Sequence, residues 1–175
     1  MALIVALVML AAMTIVGAAT LRTATIEQKA ANATQDRSLA FAAAETALRF
    51  GETVASAQAM ASPVNIGFPA QGLSTVTGGN GCTPTPCAAG LCEPPDPDCP
   101  PRWLDSAFTG WVNATPLGGV IGTPQYFVEF IGLNFPCSDG GPSDPRNCKR
   151  YRITARSIPS ADRSVVILQS VYASE

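Results

Sequence analysis

Six cysteines and the lack of any histidine set the chemistry open to this chain. Histidine is the commonest general base and metal ligand near neutral pH, and its absence removes every Ser-His or Cys-His nucleophile pair. No other motif places a nucleophile beside a base, so no catalytic, cofactor-binding or metal residue is assigned and no enzyme is expected. The cysteines are Cys82, Cys87, Cys92, Cys99, Cys137 and Cys148. An even number in a loop-rich region reads as disulfides formed in an oxidising compartment. Zinc is the competing reading, but the first four are spaced C-x4-C-x4-C-x6-C, without the close pairs of a zinc ribbon. The expected pairing joins Cys137 to Cys148 and leaves Cys82, Cys87, Cys92 and Cys99 to pair locally.

The charged residues carry weaker signals. Lys149, Arg150, Arg152 and Arg156 cluster, and the three arginines share one face of a strand. A polyanion contact competes there with a solvated outer face, and the solvated face is the favoured reading. The net charge of −2 also argues against a nucleic-acid footprint, which needs a basic patch, so no specific nucleic acid is expected. Asp96, Asp98, Asp139 and Asp144 lie in turn-rich loops, and SDGGPSD lacks the ordered pattern of a calcium loop; turn chemistry explains them better. Asn32-Ala33-Thr34 and Asn113-Ala114-Thr115 match a glycosylation acceptor pattern that is common by chance.

The elements that position these residues begin with a membrane-length run. Met1 to Leu21 contains no charged side chain. As a helix at ~1.5 Å per residue it spans about 30 Å, the thickness of a bilayer's hydrocarbon core. No proline occurs before Pro63, and residues 22–60 are rich in alanine, the residue that costs least in a helix. A single helix from residue 1 to about 58 is therefore expected, about 87 Å long. Glu45 and Arg49 stand four apart in the favourable order. Leu39, Ala43, Ala47 and Phe50, widened by Phe41 and Leu48, form the stripe expected to face a core. Gly51 is the expected weak point of the last turns. Residues 1–28 then form a transmembrane or assembly half, 29–60 an amphipathic half packed on a head, and 61–175 the globular head.

Orientation poses a conflict. Lys and Arg beside a membrane segment tend to stay cytoplasmic, and Arg22, Lys29 and Arg37 all lie downstream of the run. That would leave the cysteines in a reducing compartment. A basic leader ahead of Met1 resolves the conflict, so the numbered chain is expected to be a mature form or one with a late-assigned start. An ordinary signal anchor explains the hydrophobicity but not the amphipathic extension.

From Ser62 to Arg102 a proline or glycine recurs every few residues, and neither helix nor long strand should persist. The rest is β-rich. A short strand is expected around WVNA, followed by QYFVEFIGL (125–133), RYRITARS (150–157) and SVVILQSVY (164–172), with IPSADR as a hairpin turn. The expected product is an α+β domain, an antiparallel meander packed on the amphipathic half of the helix.

Three stretches together resemble type IV pilin-like proteins, and more closely the PilX family of minor pilins. They are MALIVALVMLAAMTIVGAA at the start, DRSLAFAAAETALR over residues 36–49, and the C-terminal YRITARS with VVILQSVY. The cysteine-rich middle is covered poorly. The resemblance implies the type IV pilin-like fold and cleavage by a prepilin peptidase after a short basic leader. Met1 would then be the processed, N-methylated first residue, and Val5 would occupy the position where most pilins keep a glutamate. That glutamate pairs with the terminal amine of a neighbouring subunit during assembly. A carboxylate at membrane depth is costly unless paired, so subunits that dock onto an existing filament have reason to keep it.

A subunit without it is expected at or near the pilus tip, helping to prime assembly. The implied partners are other minor pilins and the major pilin through the N-terminal helix, and a tip adhesin. The implied location is the inner membrane with the head in the periplasm, then the extracellular pilus, with twitching motility and surface adhesion as outcomes. No cofactor is implied. Two alternatives stand beside this reading: a membrane-anchored periplasmic binding module whose Cys-rich head takes a ligand or DNA directly, and the K-type pseudopilin of type II secretion. The second carries a large extra domain for which this chain has no room.

Overall fold

A computed structural model describes residues 2–69, 86–93, 99–115, 122–137, 147–157 and 163–175, with the backbone alone for 18–24. The chain divides into two compact units, Met1–Ser38 and Leu39–Glu175. One continuous helix, α1 (Ala2–Met60), supplies the first unit and the start of the second. In the first unit Ala2 to Gly17 are exposed, including Leu3, Val5, Leu7 and Leu10. Thr14 and Thr34 satisfy their hydroxyls within the helix, donating to the carbonyls of Ala11 and Ala30. Among the described residues no helix is long and apolar enough to cross a membrane. The run expected to span one takes in Met1 and the side chains of 18–21, which lie outside the described residues.

The helix stops two residues later than its composition suggests. The Gln58 carbonyl accepts from the N–H groups of Ala61 and Asn65, and its side-chain oxygen accepts from the Gly67 N–H. The two main-chain bonds satisfy one of the carbonyl groups that a helix end leaves open. Pro63, lacking an N–H, cannot continue it.

In the second unit α1 lies on a sheet of six strands: β1 (Cys87–Ala88), β2 (Leu91–Cys92), β3 (Val112–Asn113), β4 (Gln125–Pro136), β5 (Asn147–Arg156) and β6 (Ile167–Ser174). Their order is β1-β2-β4-β5-β6, with β3 pairing β4. The three long strands form the antiparallel meander that their alternation indicates. The sheet as a whole is mixed, however, because β2 runs parallel to β4, Leu91 beside Val128 and Cys92 beside Glu129. The reason is local. Ala89 and Gly90, both at positive φ, make a two-residue turn between β1 and β2, and the Gly90 carbonyl then accepts from the Val128 N–H. The residues after β2 must cross over before β4 begins, which permits a parallel pair.

The face of α1 that meets the sheet keeps Ala43, Ala47 and Leu48 of the expected stripe but not its other large residues. Ala43, Ala44, Ala47, Gly51, Ala55 and Ala59 are buried, whereas Leu39, Phe41 and Phe50 remain partly exposed. The sheet supplies the bulk: Tyr126, Val128, Phe130, Tyr151 and Ile153 fill the core, and small helical residues let α1 approach them. Gly51 is accordingly a close-approach position rather than a weak point. A Cβ built there would stand 2.5 Å from Ile153 Cγ2. Tyr151, fully buried, donates its hydroxyl hydrogen to Asn65 Oδ1 at 2.7 Å, tying β5 to the turn after α1.

Candidate interaction site

The opposite face of the sheet is covered as well. In β4, Phe127 and Glu129 point away from α1, and both are buried. What covers them is the segment from Arg102 to Trp111, which starts in a 3-10 turn (Arg102–Leu104). Phe127 meets Phe108 and Trp111 edge-on, with ring centroids 4.9 and 4.8 Å apart. Such arrangements place the positive edge of one ring against the negative face of the next.

Glu129 is the polar centre of this layer. Its Oε1 accepts from Arg102 Nη1, and its Oε2 from Arg152 Nε at 2.6 Å. Arg102 is 8% exposed and Arg152 31%, so one arginine is buried with the carboxylate and the other closes the pair from the rim. The two guanidinium groups pair the carboxylate in a place where an unpaired one would be expensive.

The remaining basic residues of β5 are also engaged. Arg156 donates twice to Gln125 Oε1 and lies 4.0 Å over the Trp111 ring, and burial lowers its pKa. Arg150 donates to the Pro136 carbonyl and stands over Phe135. Lys149 donates to the carbonyl of Ala59 near the end of α1, where a cation is favourable, and to that of Glu175. The cluster is therefore neither a solvated face nor a free polyanion site. Each cation is held by the strand or helix beside it.

At one end of this layer the β1–β2 hairpin and the segment Asp105 to Val112 enclose an open cavity of about 540 Å³, lined by Cys87, Gly90, Phe108 and Trp111 among others. One disulfide borders the cavity and a second lies at the other end of β4. Cys87 is bonded to Cys92 across the hairpin, and Cys137 to Cys148 across the β4–β5 connection. Cys99 is disulfide-bonded too; Cys82 lies outside the described residues. Among the described residues no group of acidic or cysteine side chains is placed to hold a metal ion.

The covered sheet, the long helix and the bonded cysteines form an α+β architecture of the pilin type. A family model described as type IV pilus assembly protein PilX C-term matches residues 88–174, and one described as PilX N-terminal matches residues 1–49. The chain belongs to the PilX family. No curated protein and no solved structure matches it.

Membership makes this a structural component of the type IV pilus. The C-terminal PilX match begins inside β1 and takes in the outer layer and all three long strands. The N-terminal match ends two residues short of Gly51. Val5 lies on α1 within the first unit, 58% exposed, while Met1 lies outside the described residues. Asp96, Asp98, Asp139 and Asp144 lie outside them too. Asn113 bonds Gln125 across β3 and β4, and Asn32 is exposed on α1. Arg102, Phe108, Trp111 and Glu129, which organise the outer layer of this PilX head, were not singled out by spacing. A carboxylate inside the apolar run QYFVEFIGL was the available signal.

Proposed function

We propose that this PilX-family protein is a minor pilin that helps prime type IV pilus assembly and sits at or near the tip. The observation that carries the reading is Val5, an apolar residue exposed on α1 where the family resemblance puts a docking glutamate in most pilins. Without a carboxylate at that depth, the subunit has nothing to pair with the terminal amine of a subunit above it. The exposed, uncharged surface of Ala2 to Gly17 suits bundling with the helices of other minor pilins and the major pilin, and residence in the inner membrane before assembly. Processing by a prepilin peptidase and a contact with a tip adhesin belong to the same reading, with twitching and surface attachment as its outcomes.

The test is complementation of a strain lacking the gene. The wild-type chain restores piliation and co-purifies with the other minor pilins, and immunogold labelling finds it at filament ends. Val5→Glu lowers piliation or spreads the label along the shaft. If Val5→Glu changes neither piliation, label position nor complex formation, the residue has no such role. The cavity beside Phe108 and Trp111 favours one second reading, a head that takes a ligand itself; a purified protein that binds a surface glycan without other pilins would support it.

A further inference from the structure

We propose that β6 is an open docking edge that accepts an extended strand from another subunit of the pilus, an inference that rests on the pilin reading above. β6 is the last strand of the sheet order, and no described residue pairs with its far side. The Ser157 N–H donates to the Val166 carbonyl, and the β5–β6 register continues from that pair without a break. Bonded pairs alternate along an antiparallel ladder. Leu168, Ser170, Tyr172 and Ser174 therefore turn their main chain toward β5. Ile167, Gln169, Val171 and Ala173 turn theirs outward. The same four expose their side chains, and none is charged.

N–H and C=O groups left open at every second residue match an extended backbone, which is how strand addition achieves recognition. Soluble proteins guard long edges with lysine, proline, a bulge or a short strand. The other edge of this sheet is guarded so, since β1 has two residues and is bonded through Cys87 to Cys92. β6 has eight residues, ILQSVYAS, with no lysine, proline or bulge.

The size of the edge argues for a donated segment over a second copy. Eight residues make a strip about 27 Å long and about 10 Å wide, so two such edges would bury roughly 540 Å² in all. A stable dimer needs about 1,200 Å² or more. Strand addition by a peptide-like segment draws affinity from main-chain bonds and specificity from alternate side chains, which is what this edge offers. The fitting occupant is an extended segment of a different pilus subunit, uncharged where it runs beside Val171 and Gln169.

The test uses the full chain in detergent, alone and reconstituted with the other minor pilins, and reads hydrogen exchange residue by residue. In the complex the amides of Ile167, Gln169, Val171 and Ala173 slow by about tenfold or more. Val171→Pro, which removes an outward N–H and leaves the β5 ladder intact, weakens the complex by about tenfold in Kd, as expected for loss of one ladder bond and close approach. Ser170→Pro breaks the inward ladder and lowers stability instead, so the two prolines separate docking from folding. Overturning results are a complex in which these amides exchange at their free rate, or Val171→Pro binding as wild type. Slowing that tracks the concentration of the chain alone would make the occupant a second copy and overturn the proposal. Failure of the wild-type chain to form any complex would strike the pilin partnership itself, and the edge with it.

Discussion

Gly51→Ala separates two accounts of α1 by the sign of its effect. In a helix whose face meets open solvent, alanine in place of glycine stabilises by about 1 kcal/mol through lower backbone entropy in the unfolded chain. In this head the new methyl would stand 2.5 Å from Ile153 Cγ2 and 3.1 Å from Tyr126 Cδ2, both in the packed core. Inserting a carbon into a filled core costs about 1–3 kcal/mol. Set against the helical gain, the net is a loss of about 1 kcal/mol, or about 3 °C in Tm for a chain of this size. The assay is thermal unfolding of the full chain in detergent, followed by near-ultraviolet circular dichroism, which reports the tyrosines of the core. The partner variant is Ile153→Leu, which removes the crowding Cγ2 and costs less than about 1.5 kcal/mol alone. With Leu at 153, Gly51→Ala becomes neutral or stabilising, a coupling of about 1–2 kcal/mol. A rise of about 3 °C for Gly51→Ala alone, or strict additivity of the pair, would refute close approach between α1 and β5.

Glu129→Ala removes the buried carboxylate that Arg102 and Arg152 share and costs about 3–5 kcal/mol, whereas Arg152→Ala removes a rim partner and costs roughly 1 kcal/mol; urea unfolding curves rank them, and equal losses would contradict the layer. Burial pushes the Tyr151 hydroxyl up to about 12, against the opposing hydrogen bond to Asn65 and with a smaller push from Tyr172. The folded state then holds this proton more tightly than the unfolded chain, so its contribution is complete below about pH 10 and is lost as pH rises toward 12. Tyr151→Phe flattens that part of the stability–pH curve, and an unchanged slope would count against the burial. Replacing Cys137 and Cys148 by serine opens a short loop, with a separation of 11, and costs about 3 kcal/mol by loop entropy; denaturant midpoints of the oxidised and serine forms measure it.

Much of the architecture was written in composition and period. The proline-free alanine run up to Pro63 marks α1, and β4, β5 and β6 stand out as β-branched and aromatic runs between turn residues. The buried stripe of α1 was legible only in part, at Ala43, Ala47 and Leu48, for a physical reason. Hydropathy marks Leu39, Phe41 and Phe50 as core residues, but the fit is decided by the bulk that Tyr126, Tyr151 and Ile153 bring from the sheet. Small residues win a contact face when the partner is large, and only the partner reveals that. The parallel β2–β4 pair was equally hidden, since strands of two residues carry no period. The outer layer left a trace in Glu129, a lone carboxylate amid apolar neighbours, but its partners lie far off in the chain at Arg102 and Arg152.

The engaged arginines bear on how this head meets its partners. A strand rich in arginine invites an electrostatic reading, yet Arg150, Arg152 and Arg156 each close a contact inside the fold, with Phe135, Glu129 and Trp111. Any anion drawn to them would have to displace a carboxylate, an amide oxygen or an aromatic face already in place. Long-range steering by charge is correspondingly weak in a chain of net charge −2. Among the described residues the short-range features are the uncharged surface of Ala2 to Gly17 on α1 and the docking edge proposed at β6. Both suit a partner that is brought alongside by a shared filament axis, because a neighbour held in place needs fit more than it needs attraction from a distance.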